Sequence, residues 1–140
     1  AVCEGVWMTR KNPSGYAAYW LRDGSTIGSI IAAVAVASAG EVGYLRATGD
    51  ILGAVRSARV DRESIDETIA SEPLTPKSAE GVRFIADGIV DDVINDPVVW
   101  QSMIPLMFRL IDEEHISGAD FDRAIRIPDR LLEFVRHLVA

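Results

Sequence analysis

The sequence predicts a mainly α (α+β) fold, with a small N-terminal β-hairpin followed by a bundle of about five or six helices. Three observations carry that expectation. Residues 27 to 45, IGSIIAAVAVASAGEVGYL, form an almost uncharged run of small and apolar residues in an acidic chain. Thr75-Pro76 and Asp96-Pro97 are capping residues followed by proline, a start signal for helices. Downstream segments repeat apolar residues at a spacing of three and four, whereas the first 22 residues are rich in Val, Trp, Tyr and Thr around a turn-like stretch.

Taken in order, GVWMT and YAAYWL read as strands, with RKNPSG between them supplying Asn-Pro and Ser-Gly turn pairs. RDGS makes a second turn, so residues 1–24 are assigned to hairpin and turn and residues 25–140 to helices, all in a single domain. Glu41 and Arg46 close the apolar run short of the roughly 20 residues that a membrane span takes. The run also lacks the position and basic flank of a signal peptide. It is expected to be a helix buried nearly all round, whose Ala, Gly and Ser residues let neighbours approach closely.

After ATGD, the segment ILGAVRSARV is open between loop and short helix, and DRESIDETIA is helical with Asp61 or Ser64 near its start. Thr75 caps the helix KSAEGVRFIADGIVDDVIN, which sets Val82, Ile85, Ile89 and Val93 on one side and Asp87, Asp91 and Asp92 largely on another. Asp96 opens VVWQSMIPLMFRLIDEEH, in which Pro105 should kink or locally break the helix. Ser117 followed by Asp120 is close to a capping box. PDRLLEFVRHLVA ends the chain with Leu131, Leu132, Val135 and Leu138 at helical spacing.

With 140 residues, 49% hydrophobic and 25% charged, the chain can bury a single core. A formal charge of -7 argues against nucleic acid, since phosphate contacts need clustered Lys and Arg. It leaves cations and basic protein partners as the electrostatic matches. Cys3 is the only cysteine, so no intramolecular disulfide forms and a reducing, cytoplasmic setting is expected.

No complete catalytic motif is present. Within DEEH, only Asp112 and His115 have a spacing of three that lets helical side chains converge, and a polar helix end with His near its C-terminal dipole accounts for the same letters. His137 reads as a terminal surface residue and Cys3 as a small buried hydrophobe. The acidic groups Asp61, Glu63, Asp66, Glu67, Glu72 and Asp87, Asp91, Asp92, Asp96 read first as solvated helix faces. Trp7, Tyr16, Tyr19 and Trp20 gather aromatic surface in the hairpin, where they either cover the helical core or form a partner-docking edge.

The order of these segments resembles the helical part of FtsH-type zinc metalloproteases and their shorter relatives. The residues that carry the likeness are the helix ending in ASAGEVGYL, the TGD that follows, the acidic helix start, and VVWQSMIPLMFRLIDEEHISGADFDRAI. The resemblance implies that Ala39, Gly40 and Glu41 lie in the motif at the end of the core helix, that Gly49 and Asp50 are the family's Gly-Asp pair, and that Asp61 is the zinc-binding Asp, with Asp66 as the alternative. The family's His-Glu-x-x-His helix, which supplies two zinc ligands and the general base, would precede the hairpin and is absent from these residues.

The resemblance therefore leads to a zincin-like, non-catalytic or incomplete domain that binds another protein or a missing part of a longer chain. One alternative is a zinc-dependent peptidase or hydrolase in which Asp61 and His115 join ligands from outside these residues. The other is an acidic helical adaptor or regulatory subunit that docks through the aromatic hairpin.

Overall fold

A computed structural model describes residues 2–7, 16–20 and 26–139, with side chains described from residue 26 to residue 137. The chain is mainly helical. Strands β1 (Val2–Trp7) and β2 (Tyr16–Trp20) precede α1 (Ile27–Thr48), α2 (Ile51–Ser57), α3 (Arg59–Ala70), α4 (Pro76–Ile94) and α5 (Pro97–Glu113). The short strand β3 (His115–Ser117) leads into α6 (Gly118–Ala124), and α7 (Asp129–Val139) follows. β1 is central in an antiparallel sheet of order β2-β1-β3. The turn expected between β1 and β2, at residues 8–15, lies outside the described residues.

The helix boundaries follow from backbone groups that need partners. Thr26 caps α1 by accepting from the Ser29 amide, and Thr75 caps α4 by accepting from Ser78, each at 3.1 Å. Asp96 is almost fully buried and caps α5 by accepting from the Val98 and Val99 amides at 2.9 and 3.2 Å. Pro76 and Pro97 occupy first-turn positions where a missing N–H costs nothing. Pro105 lies inside α5, and the helix continues through it to Glu113 rather than ending there.

TGDILG proves to be a helix-to-helix corner. Gly49 adopts φ 69, the left-handed conformation that ends α1, and its amide donates to the Leu45 carbonyl. Asp50 then caps α2 through the Gly53 amide at 3.0 Å. A Cβ on Gly53 would collide with the capping Asp50 carboxylate and the Tyr44 hydroxyl, so a larger residue there would have to displace both.

Two compact units emerge, Ala1–Arg22 with Asp96–Pro128, and Asp23–Asn95 with Asp129–Ala140. In the second unit, Ile30, Ile31 and Val34 of α1 meet Ile65 and Ile69 of α3 and Val82, Ala86 and Ile89 of α4. Val135 of α7 packs against the same cluster. Each fully buried Val or Ile contributes about 1.5–3 kcal/mol by leaving water. In the first unit, Ile116, Val99 and Leu106 are buried between β3 and α5.

Two expectations need correction. α1 is not buried all round: its buried residues are Gly28, Ile30, Ile31 and Val34, and Val36, Tyr44 and Leu45 are exposed. At 22 residues with mean hydropathy 1.5 it is, among the described residues, the one helix long and apolar enough to cross a membrane by length and composition. The segment at 115–117 is a strand and not a helix end. Glu114 turns left-handed at φ 61, and His115, Ile116 and Ser117 pair with Trp7, Val6 and Gly5.

The buried cap supplies a test. Asp96→Ala leaves the Val98 and Val99 amides without their acceptor, and should lower unfolding free energy by about 1–2 kcal/mol in urea titration with an unchanged m-value.

Candidate functional site

Two places combine chemistry with access. The first is the polar end of α1 in the second unit. The carboxylate of Asp61, in the first turn of α3, comes to 3.5 Å from where a Cβ on Gly40 would stand, so α3 meets α1 where α1 presents bare backbone. One residue on, Glu41 accepts from both Nε and Nη2 of Arg62, a bidentate pair with the Nε contact at 3.0 Å. Asp66 pairs with Arg83 of α4 at 2.6 Å. Arg46 donates to the Ile94 carbonyl and so fastens the end of α1 to the end of α4.

Charge accumulates beside these pairs. Withdrawal of the Asp87 carboxyl from water, together with Asp91 and Glu41, pushes its pKa up, while Arg83 opposes the shift. Asp61 is half-buried and, among the described residues, has no ion-pair partner. Gly40 thus lies beside Asp61, and Glu41 faces Arg62. Asp66 is instead committed to Arg83.

Zinc needs three or four converging ligands. No group of three His, Cys, Asp or Glu side chains converges among the described residues, so these side chains do not by themselves hold the metal. His115 belongs to the first unit, exposed on β3, and Asp61 to the second.

The second place is an apolar groove in the first unit. Met103, Leu106, Met107 and Leu110 of α5, with Ile116 of β3 and Phe121 of α6, line a depression of about 160 Å³. Outside that lining, α5 also exposes Phe108 by 65% and Ile111 by 57%, with Ile104 at helical spacing from both. α5 carries more apolar residues than one face can bury, and that surplus in VVWQSMIPLMFRLI is the sequence signal of an exposed apolar surface.

Arg109 fixes one wall of this groove. It reaches Glu113 on its own helix and Asp120 of α6 at 2.9 Å, and Arg123 meets the same Asp120. The Arg109 and Arg123 hydrogen bonds hold the Asp120 pKa below the ordinary carboxylate range. Ser117 caps α6 by accepting from the Asp120 amide at 3.2 Å, and the Asp120 carboxylate serves the arginines. The side chains of Trp7, Tyr16, Tyr19 and Trp20 lie outside the described residues.

Asp87 and Asp120 should respond to pH with opposite signs. Asp120 has a lowered folded pKa, so its contribution is present above the unfolded value of about 3.9 and is lost as pH falls through the folded value. Asp87 has a raised folded pKa, so stability falls as pH climbs from about 3.9 through that raised value. In urea midpoints at pH 7, Asp87→Asn should gain stability and Asp120→Asn should lose it, and both differences should vanish in strong acid.

Comparison with protein-family models, with curated proteins and with solved structures finds no match.

Proposed function

We propose that the chain is a helical protein-interaction domain on a scaffold resembling that of the zinc metalloproteases, and that it docks a protein partner in the groove of α5 and α6. The observation that carries this reading is the groove itself: an apolar depression lined by Met103, Leu106, Met107, Leu110, Ile116 and Phe121. An apolar hollow of this kind can receive the large anchor side chain of a partner. Methionines in its lining adapt to the shape of an incoming side chain. An acidic chain of net charge -7 favours a partner whose own apolar anchors are set among basic residues.

Met107→Glu tests the reading, because Met107 lines the groove and is already 39% exposed. A partner captured by the wild-type chain from its native host's lysate should be recovered at least tenfold less well by the variant, with melting temperature unchanged. Equal recovery would sink the proposal.

A second reading is favoured by Asp61, a half-buried carboxylate without an ion pair, set against the Gly40 backbone. Here the domain contributes Asp61 to a zinc-dependent peptidase or hydrolase whose other ligands lie outside these residues. In that case Asp61→Asn should remove stoichiometric zinc from the protein as its native host makes it, as read by metal mass spectrometry. Zinc unchanged by the substitution, or none in the parent, rules this reading out.

A further inference from the structure

Resting on the reading of the α5–α6 groove as a docking surface, we infer that Met107 is a site of reversible oxidation whose sulfoxide closes that groove to its partner. The oxidant is a hydroperoxide, hydrogen peroxide in the simplest case. The thioether sulfur gives up two electrons and gains one oxygen atom from the peroxide. The O–O bond breaks, and the second oxygen leaves as water with both hydrogen atoms.

Two methionines line the groove, Met103 and Met107, about one turn apart on α5. They differ in access. Met107 is 39% exposed and Met103 is half-buried, so a peroxide dissolved in water reaches Met107 the more readily. The groove has nothing to receive the product. A sulfoxide oxygen is a hydrogen-bond acceptor, and the other lining side chains, Met103, Leu106, Leu110, Ile116 and Phe121, carry no donor. Arg109, two residues further along α5, is engaged with Glu113 and Asp120.

The oxidised side chain therefore keeps its oxygen in water, which either brings water onto the apolar floor or draws the side chain off it. In both cases an incoming anchor loses apolar surface against which to bury itself. The change is reversible, because the sulfoxide reductases return methionine sulfoxide to methionine. Docking and oxidation are also linked: a partner seated in the groove covers Met107 and protects it, as oxidation excludes the partner.

Treating the purified chain with dilute hydrogen peroxide tests this, with the added oxygen assigned by fragmenting the tryptic peptide of residues 84–109, which holds both groove methionines. Met107 should oxidise ahead of Met103. The docking probe is the protein that the wild-type chain captures from its native host's lysate. The oxidised chain should recover it roughly tenfold less well, with its helical circular dichroism unchanged. Sulfoxide reductases of both epimer specificities should restore recovery. Met107→Leu keeps the volume and the apolar lining without the sulfur, so it should dock normally and lose nothing in peroxide.

Oxidation of Met103 ahead of Met107 overturns the inference, as does full recovery by a chain whose Met107 is oxidised. Equal peroxide sensitivity in Met107→Leu overturns it too, since the effect then lies at Cys3, Met8 or Met103. So does loss of the helical signal on oxidation, which is unfolding and not closure of the groove. If Met107→Glu loses the captured protein while the sulfoxide keeps it, the switch fails and the docking reading stands. If wild type captures nothing, or Met107→Glu keeps what wild type captures, both fail.

Discussion

The close packing of the first half of α1 against α3 and α4 is the constraint on which the larger unit depends. Ile30, Ile31 and Val34 are nearly sealed from water, and Ala86 of α4 is completely buried, so the helices meet through short side chains where bulkier ones would hold them apart. This contact sets where α1 ends up relative to α3. It thereby decides that Asp61 lies over Gly40 and that Glu41 faces Arg62. The polar end of α1 is thus a consequence of its apolar beginning.

The same helix shows why composition and burial diverge. One face of its first half is enclosed by α3 and α4, whereas Ile27, Val36, Tyr44 and Leu45 are left at the surface. Gly49 then ends the helix and Asp50 starts the next, whose first residues Ile51 and Leu52 are exposed. Exposed apolar side chains on a short helix with few partners are a feature that folding alone does not favour. The stripe of Ile104, Phe108 and Ile111 on α5 shares that property.

The readings of function separate along two surfaces. Docking draws on the groove, where the apolar lining is complete within one unit. Metal chemistry draws on Asp61 alone among the described residues, since His115 belongs to the other unit and no third ligand converges there. One carboxylate does not make a metal centre, which takes three or four converging ligands.

By itself the sequence determined the helical class, the starts of α4, α5 and α6, and the apolar faces of α4 and α7. These are local matters: Thr75, Asp96 and Ser117 act on amides two or three residues away, and a helical period is set by the backbone. It did not reveal β3, because three residues are too few to show alternation and their strand partner lies more than a hundred positions away. Nor did it reveal the half-exposure of α1, the pairing of Glu41 with Arg62, or the groove, since an apolar residue reads alike whether a neighbour covers it or not. Only the tertiary structure decided which of those faces found a partner within the chain, because burial is a property of what packs opposite and not of the residue itself.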